Sequence, residues 1–154
     1  MIRMDKILFP TDFSEFSKNA LRYAISFAQE YKAKLIVLHV IENIYPYSGF
    51  AETAFPVVEL YTDVEKYAQK EMESLAGGNV PKDLSVETII TRGTPFLEIV
   101  NAAKEKEVDL IVIATHGRTG LEHVFFGSTA EKVVRKAPCP VLTIRNPEHE
   151  FVHP

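Results

Sequence analysis

Several absences narrow the reading of this 154-residue chain before any motif is considered. It has a single cysteine, Cys139, so it forms no internal disulfide. Its apolar runs stop far short of the roughly 20 residues that a membrane helix needs. It lacks an excess of basic charge. The net charge of −4 argues against a nucleic-acid binder, which carries a basic patch. The opening residues "MIRMDKILFPTDFS" have only a short apolar stretch before acids appear, unlike a secretory signal. Together with the lone thiol, this predicts a cytoplasmic protein that meets no membrane and no nucleic acid. Cys139 lies between two prolines with no basic cluster beside it, so a packed, neutral thiol is expected.

Familiar nucleotide and hydrolase signatures are also missing. No G-x-x-x-x-G-K-[ST] occurs, which excludes a P-loop kinase or ATPase. No G-x-G-x-x-G follows the first strand signal, which argues against a dinucleotide site. Without G-x-S-x-G, an α/β-hydrolase has no support. His116 and His123 are seven residues apart across a glycine loop, a poor spacing for metal ligands.

What is present is an ordinary globular composition, 46% hydrophobic and 25% charged, in a chain of one-domain length. Strand and helix signals alternate. "KILFP" is short and apolar. The following segment to Tyr31 has Phe16, Ala20, Leu21, Ala24, Phe27, Ala28 and Tyr31 at helical spacing, with Asp12 and Glu15 spaced as a capping box. "AKLIVLHVI" suits a strand covered on both faces. The polar, aromatic stretch from Glu42 to Pro56 reads as the longest and most mobile loop. An amphipathic helix follows from Val57 to Leu75, closed by Gly77 and Gly78. "LSVETII" alternates like a strand near a sheet edge. Thr94 and Pro95 make a helix start, with a hydroxyl cap and then proline at the first helical position, and that helix runs to about Glu107. "VDLIVIA" is a buried strand, "GSTAEKVVRKA" a helix and "CPVLTIR" a last strand.

This order predicts a single doubly wound, Rossmann-like α/β domain over residues 1–146. Its five-stranded parallel sheet carries helices on both faces, and residues 147–154 form a frayed tail. Such sheets bind ligands beyond the carboxyl ends of their strands, where strand order switches. Two loops there, "PTDFSE" and "THGRTG", are expected to face one crevice. Nine residues separate Gly117 from Gly127, which precedes Ser128 and Thr129. A helix start offers unpaired N–H groups and partial positive charge, and glycines let the backbone approach phosphate oxygens. Ser128 and Thr129 add hydroxyl donors and Arg118 a cation. The same residues also read as a plain turn with Ser128 as helix cap.

"LFPTDFSEFSKNAL", "IVLHV" and "ATHGRTGLEHVFFGSTAEKVVRKAPCPVLTIR" resemble universal stress proteins along nearly the whole chain. The resemblance implies a cytoplasmic homodimer paired through the last strand at Val141, Leu142, Thr143 and Ile144. It also implies a division between members that bind ATP and members that do not. Binding members share G-x-x-G-x9-G-[ST]; here Gly117, Gly127 and Ser128 match, and Ala114 replaces the first glycine. Carried over by position, Asp12 lies beside adenine, Pro10 and Thr11 line the pocket, and Val40 offers an apolar wall and backbone groups. Ala114, Thr115, His116 and Gly117 line the ribose and first phosphates. Arg118, Gly127, Ser128 and Thr129 hold the outer phosphates. The implied ligand is ATP or a related adenine nucleotide, with magnesium or manganese bridging the phosphates, in a stress-response or signalling module. The alternative is a member that binds no nucleotide and works through protein contacts. The first loop carries neither H-x-G-H nor S-G-G-x-D-S, so no dedicated catalysis is expected. At most, slow ATP hydrolysis or self-phosphorylation at Ser128 would occur.

Overall fold

The computed structural model describes residues 1–43, 57–116 and 126–145. It is one α/β domain. In chain order the elements are β1 (Lys6–Pro10), α1 (Glu15–Tyr31), β2 (Lys34–Glu42), α2 (Val57–Gly78), β3 (Val86–Gly93), α3 (Pro95–Glu105), β4 (Leu110–Ala114), α4 (Ser128–Lys136) and β5 (Val141–Ile144). The strands form one parallel sheet in the order β3-β2-β1-β4-β5.

Strand alternation divides the core into two layers, because successive side chains point to opposite faces. Ile7 and Phe9 of β1, Leu35 and Val37 of β2 and Val112 of β4 pack with Ala20, Leu21, Ala24 and Ala28 of α1 and Ala68, Met72 and Leu75 of α2. Leu8, Ile36, Leu38, Ile111 and Ile113 face the other way, onto Ile99 and Ala103 of α3 and Ala130 and Val133 of α4. The three inner strands are covered on both sides, which is why they read as continuous apolar runs. β3 and β5 are the sheet edges and are only half-buried along most of their length.

Local corrections concern where elements begin and end. Asp12 and Glu15 do not form a capping box. Ser14 caps α1, its Oγ accepting from the Ser17 N–H at 3.2 Å, and Asp12 Oδ1 accepts instead from the Ser14 N–H at 3.0 Å. Thr94 caps α3 by position, ahead of Pro95, but its hydroxyl makes no cap bond. Gly77 and Gly78 form the last turn of α2 and do not terminate it early. β3 starts at Val86, two residues later than the alternation suggests, and continues to Gly93. α1 and α3 end alike. Lys32 and Glu107 adopt left-handed φ values of 54° and 52°, letting Ala33 and Val108 donate back to Ala28 and Ala103. The long loop beyond Asn43 and the tail from residue 146 lie outside the described residues.

At the amino ends of the strands, Glu87 of β3 accepts from Lys34 Nζ at 2.5 Å and Lys106 Nζ at 2.6 Å. These two hydrogen bonds, Lys106 foremost, hold its carboxyl down to about 2 from an ordinary 4.5. A carboxylate lowered on folding adds stability above its unfolded pKa, and that stability is lost as pH falls through the folded value. The contribution is therefore complete above about pH 4.5 and gone below about pH 2. Solvent screening at this surface position limits it to about 1 kcal/mol. Urea unfolding from pH 5 to pH 2 should show the wild type losing more stability than Glu87→Gln; parallel curves would remove the triad from the acid response.

Candidate functional site

The strand order places the switch point between β1 and β4. The chain steps from β1 outward to β2 and β3, then crosses back to β4 and β5. Connections from β1 and β4 consequently leave to opposite faces and part at the carboxyl ends. A crevice of about 560 Å³ opens there. It brings together Pro10, Thr11 and Asp12 after β1, Val40 on β2, Ala114, Thr115 and His116 at the end of β4, and Gly127, Ser128 and Thr129 at the start of α4. Gly117 and Arg118, also predicted from sequence, lie outside the described residues.

Thr11 organises the β1 side. It is buried at 6% exposure. Its N–H donates to Leu38 O at 2.8 Å, continuing the β1–β2 ladder by one residue. Its hydroxyl oxygen accepts from the Phe13 N–H at 3.0 Å and from Ser17 Oγ at 2.7 Å. Its carbonyl lies 2.8 Å from His39 Nδ1. Phe13 is held at φ 63°, a conformation that costs a bulky residue about 1–2 kcal/mol. It stacks on the His39 ring with centroids 4.3 Å apart. The left-handed turn redirects the chain so that Ser14 can cap α1 while Asp12 stays on the crevice wall.

On the β4 side, Ala114 is the last strand residue, paired with Ile144, and its side chain packs against the α1-side core. Thr115 is buried at 5% exposure. Its N–H donates to Ile144 O at 3.0 Å and its hydroxyl lies 3.0 Å from His116 Nδ1. Its carbonyl accepts from the Gly127 N–H at 2.6 Å. That last bond ties the start of α4 to the end of β4 across the intervening loop. The Gly127 N–H is thereby satisfied within the fold. The close approach explains the glycine, since a Cβ there would lie 3.2 Å from Thr115 O. Gly127, not Ser128, is the N-cap of α4, and Ser128 is its first helical residue. The anion-binding potential therefore rests on the first-turn N–H groups of Ser128, Thr129 and Ala130, which have no acceptor within the helix.

The electrostatics are uneven. Asp12 and Glu42 put carboxylates on the crevice wall, and no lysine or arginine lines it among the described residues. Positive potential comes from the amino end of α4. Among the described residues no group of three or more His, Cys, Asp or Glu could hold a metal ion, and no helix is long and apolar enough to cross a membrane. Cys139 is half-buried in the α3–α4 layer, where burial pushes its thiol up, as expected of an inert packed thiol.

Sequence reasoning missed Ser17, His39, Glu42 and Val64 in the lining. His39 left one signal, a polar residue inside an otherwise apolar buried strand. Ser17 left none, because a small polar residue in a first helical turn is ordinary.

The family model described as "Universal stress protein family" matches residues 4–145, and the chain belongs to that family. The universal stress protein MJ0531 of Methanocaldococcus jannaschii is 36% identical over 147 residues, covering 94% of this chain and 84% of that protein. The solved structure of MJ0577, a universal stress protein of the same organism, superposes with a TM-score of 0.83 at 31% identity. The match covers 96% of this chain and 99% of that one. A universal stress protein from Archaeoglobus fulgidus, solved in complex with dAMP, shares the fold at a TM-score of 0.59 and 22% identity, covering 93% and 98% of the two chains.

Replacing Thr11 by valine would keep its shape and remove the acceptor for two buried donors. A loss of about 1–3 kcal/mol is expected for the orphaned Phe13 and Ser17 groups. Denaturant unfolding of Thr11→Val checks this; unchanged stability would mean that the Thr11 hydroxyl does not organise the turn.

Proposed function

We propose that the crevice binds ATP or a related adenine nucleotide, and that the protein acts as a nucleotide-dependent stress-response module. One observation carries this reading. The helix N-terminus that can receive phosphates and the apolar Val40 wall that can receive a base face the same 560 Å³ space. That volume lies within the range of small-molecule sites. The base would lie against Val40 and Asp12, the ribose near Ala114, Thr115 and His116, and the phosphates at Ser128 and Thr129. Gly117 and Arg118 belong to the same proposal from their positions in the sequence. The A. fulgidus relative with dAMP supports the choice of adenine.

Ala114 in place of glycine does not argue against binding. The residue stays in strand register and, though it lines the crevice, its half-buried side chain packs against the α1-side core. With two carboxylates and no described lysine or arginine on the wall, a triphosphate is best received with its charge already reduced by magnesium or manganese. A homodimer through β5 fits the same reading. The strand is a short edge with Val141, Leu142 and Thr143 half-buried, and a second copy would extend the sheet that ends at β5.

Calorimetric titration with ATP and magnesium, and with AMP in parallel, should give micromolar binding of ATP. Gly127→Val should lose it at least tenfold, because the branched Cβ forces α4 away from Thr115 O. Absence of heat and of thermal stabilisation at millimolar ATP would end the nucleotide reading. Equilibrium sedimentation should return twice the 17.4 kDa chain mass, and Leu142→Lys should return the single mass; a monomeric wild type would remove the β5 contact.

A further inference from the structure

We infer that His39 is the positioning residue of the crevice, setting the β1–α1 turn through a hydrogen bond to the Thr11 carbonyl. The inference deepens the nucleotide reading, and its affinity arm rests on that reading.

The β2 run from Leu35 to Ile41 is apolar except at His39 and buried except at Val40, which is half-buried; His39 itself is 8% exposed. A carbonyl can only accept, so His39 Nδ1, 2.8 Å from Thr11 O, carries the proton. The bond fixes the peptide between Thr11 and Asp12. The ring of the next residue, Phe13, lies flat on His39, with an interplanar angle of 29°. Phe13 is also the residue in the left-handed conformation, and backbone strain of this kind persists only where neighbours over-determine it. Among the described residues, two of the contacts that hold this turn are Thr11 Oγ1 on the Phe13 N–H and His39, which reaches both sides of Asp12. Asp12 Oδ1 is then aimed by its own bond to the Ser14 N–H. A single imidazole on the neighbouring strand thus holds the residues before and after Asp12.

Two contributions can be separated by substitution. Asparagine can place an amide N–H where Nδ1 stands and gives up the stack. Phenylalanine keeps the stack and gives up the donor. His39→Asn should hold ATP affinity within about threefold of wild type, and His39→Phe should lose at least tenfold. Amide hydrogen exchange of Phe13 and Ser14, followed in the nucleotide-free protein, should stay slow in His39→Asn and speed up at least tenfold in His39→Phe. Circular dichroism confirms that both variants are folded. The reverse order, with Phe protected and Asn not, would make His39 a packing residue and overturn the inference. Wild-type protection in both variants would overturn it equally. If wild type binds no ATP, the nucleotide reading fails alone, because the exchange measurement still decides the role of His39.

Discussion

The divergence of β1 and β4 is the constraint on which the rest of this molecule depends. Ile7, Leu8 and Phe9 of β1 have no exposure at all, so the strand is fixed by both core layers at once. A right-handed crossover from such a strand can leave to only one face for a given direction along the sheet. The chain uses one direction for β2 and β3 and the other for β4 and β5. A gap at the carboxyl ends is the unavoidable result, and the crevice is that gap with chemistry added. The packed layers beneath it supply rigidity that a loop-built site would lack.

Two anchored residues convert the gap into a shaped site. Thr11 is tied down through its N–H, its carbonyl and its hydroxyl, which leaves the β1 side with little freedom. Gly127 is tied to Thr115, which sets the start of α4 against the end of β4. The two anchors act on different faces of the sheet. The crevice wall near Asp12 follows α1, and the wall near Ser128 follows α4.

Most of the architecture is legible in the amino-acid order because alternating signals of strand and helix leave few topologies for a chain of this length. Thr11, Asp12 and Ala114 can be placed at strand ends because the apolar runs end there, whereas Val40 is placed by the family resemblance, just before its own run ends. Finer detail is lost where two residues compete for one role. Asp12 and Ser14 can each cap a helix, and the role falls to Ser14 because Phe13 takes a left-handed turn that no propensity announces. The family resemblance puts Gly127 at the outer phosphates, yet its N–H is satisfied by Thr115, a partner twelve residues away that only the tertiary structure supplies. His39 is hidden by its setting, since an imidazole inside an apolar strand reads as an exception and not as a hub.

The Glu87 cluster and the crevice occupy opposite ends of the same sheet. Lys34 begins β2, Glu87 is near the beginning of β3 and Lys106 follows the end of α3, so all three sit where the strands start. The crevice sits where the strands finish. Effects of substitutions that share no partner and lie well apart tend to add. Charge at one end can therefore drift, or be engineered for acid tolerance, while the crevice at the other end is left intact. The fold keeps two ledgers of variation that need not be reconciled residue by residue, which suits a scaffold whose relatives differ at about two positions in three.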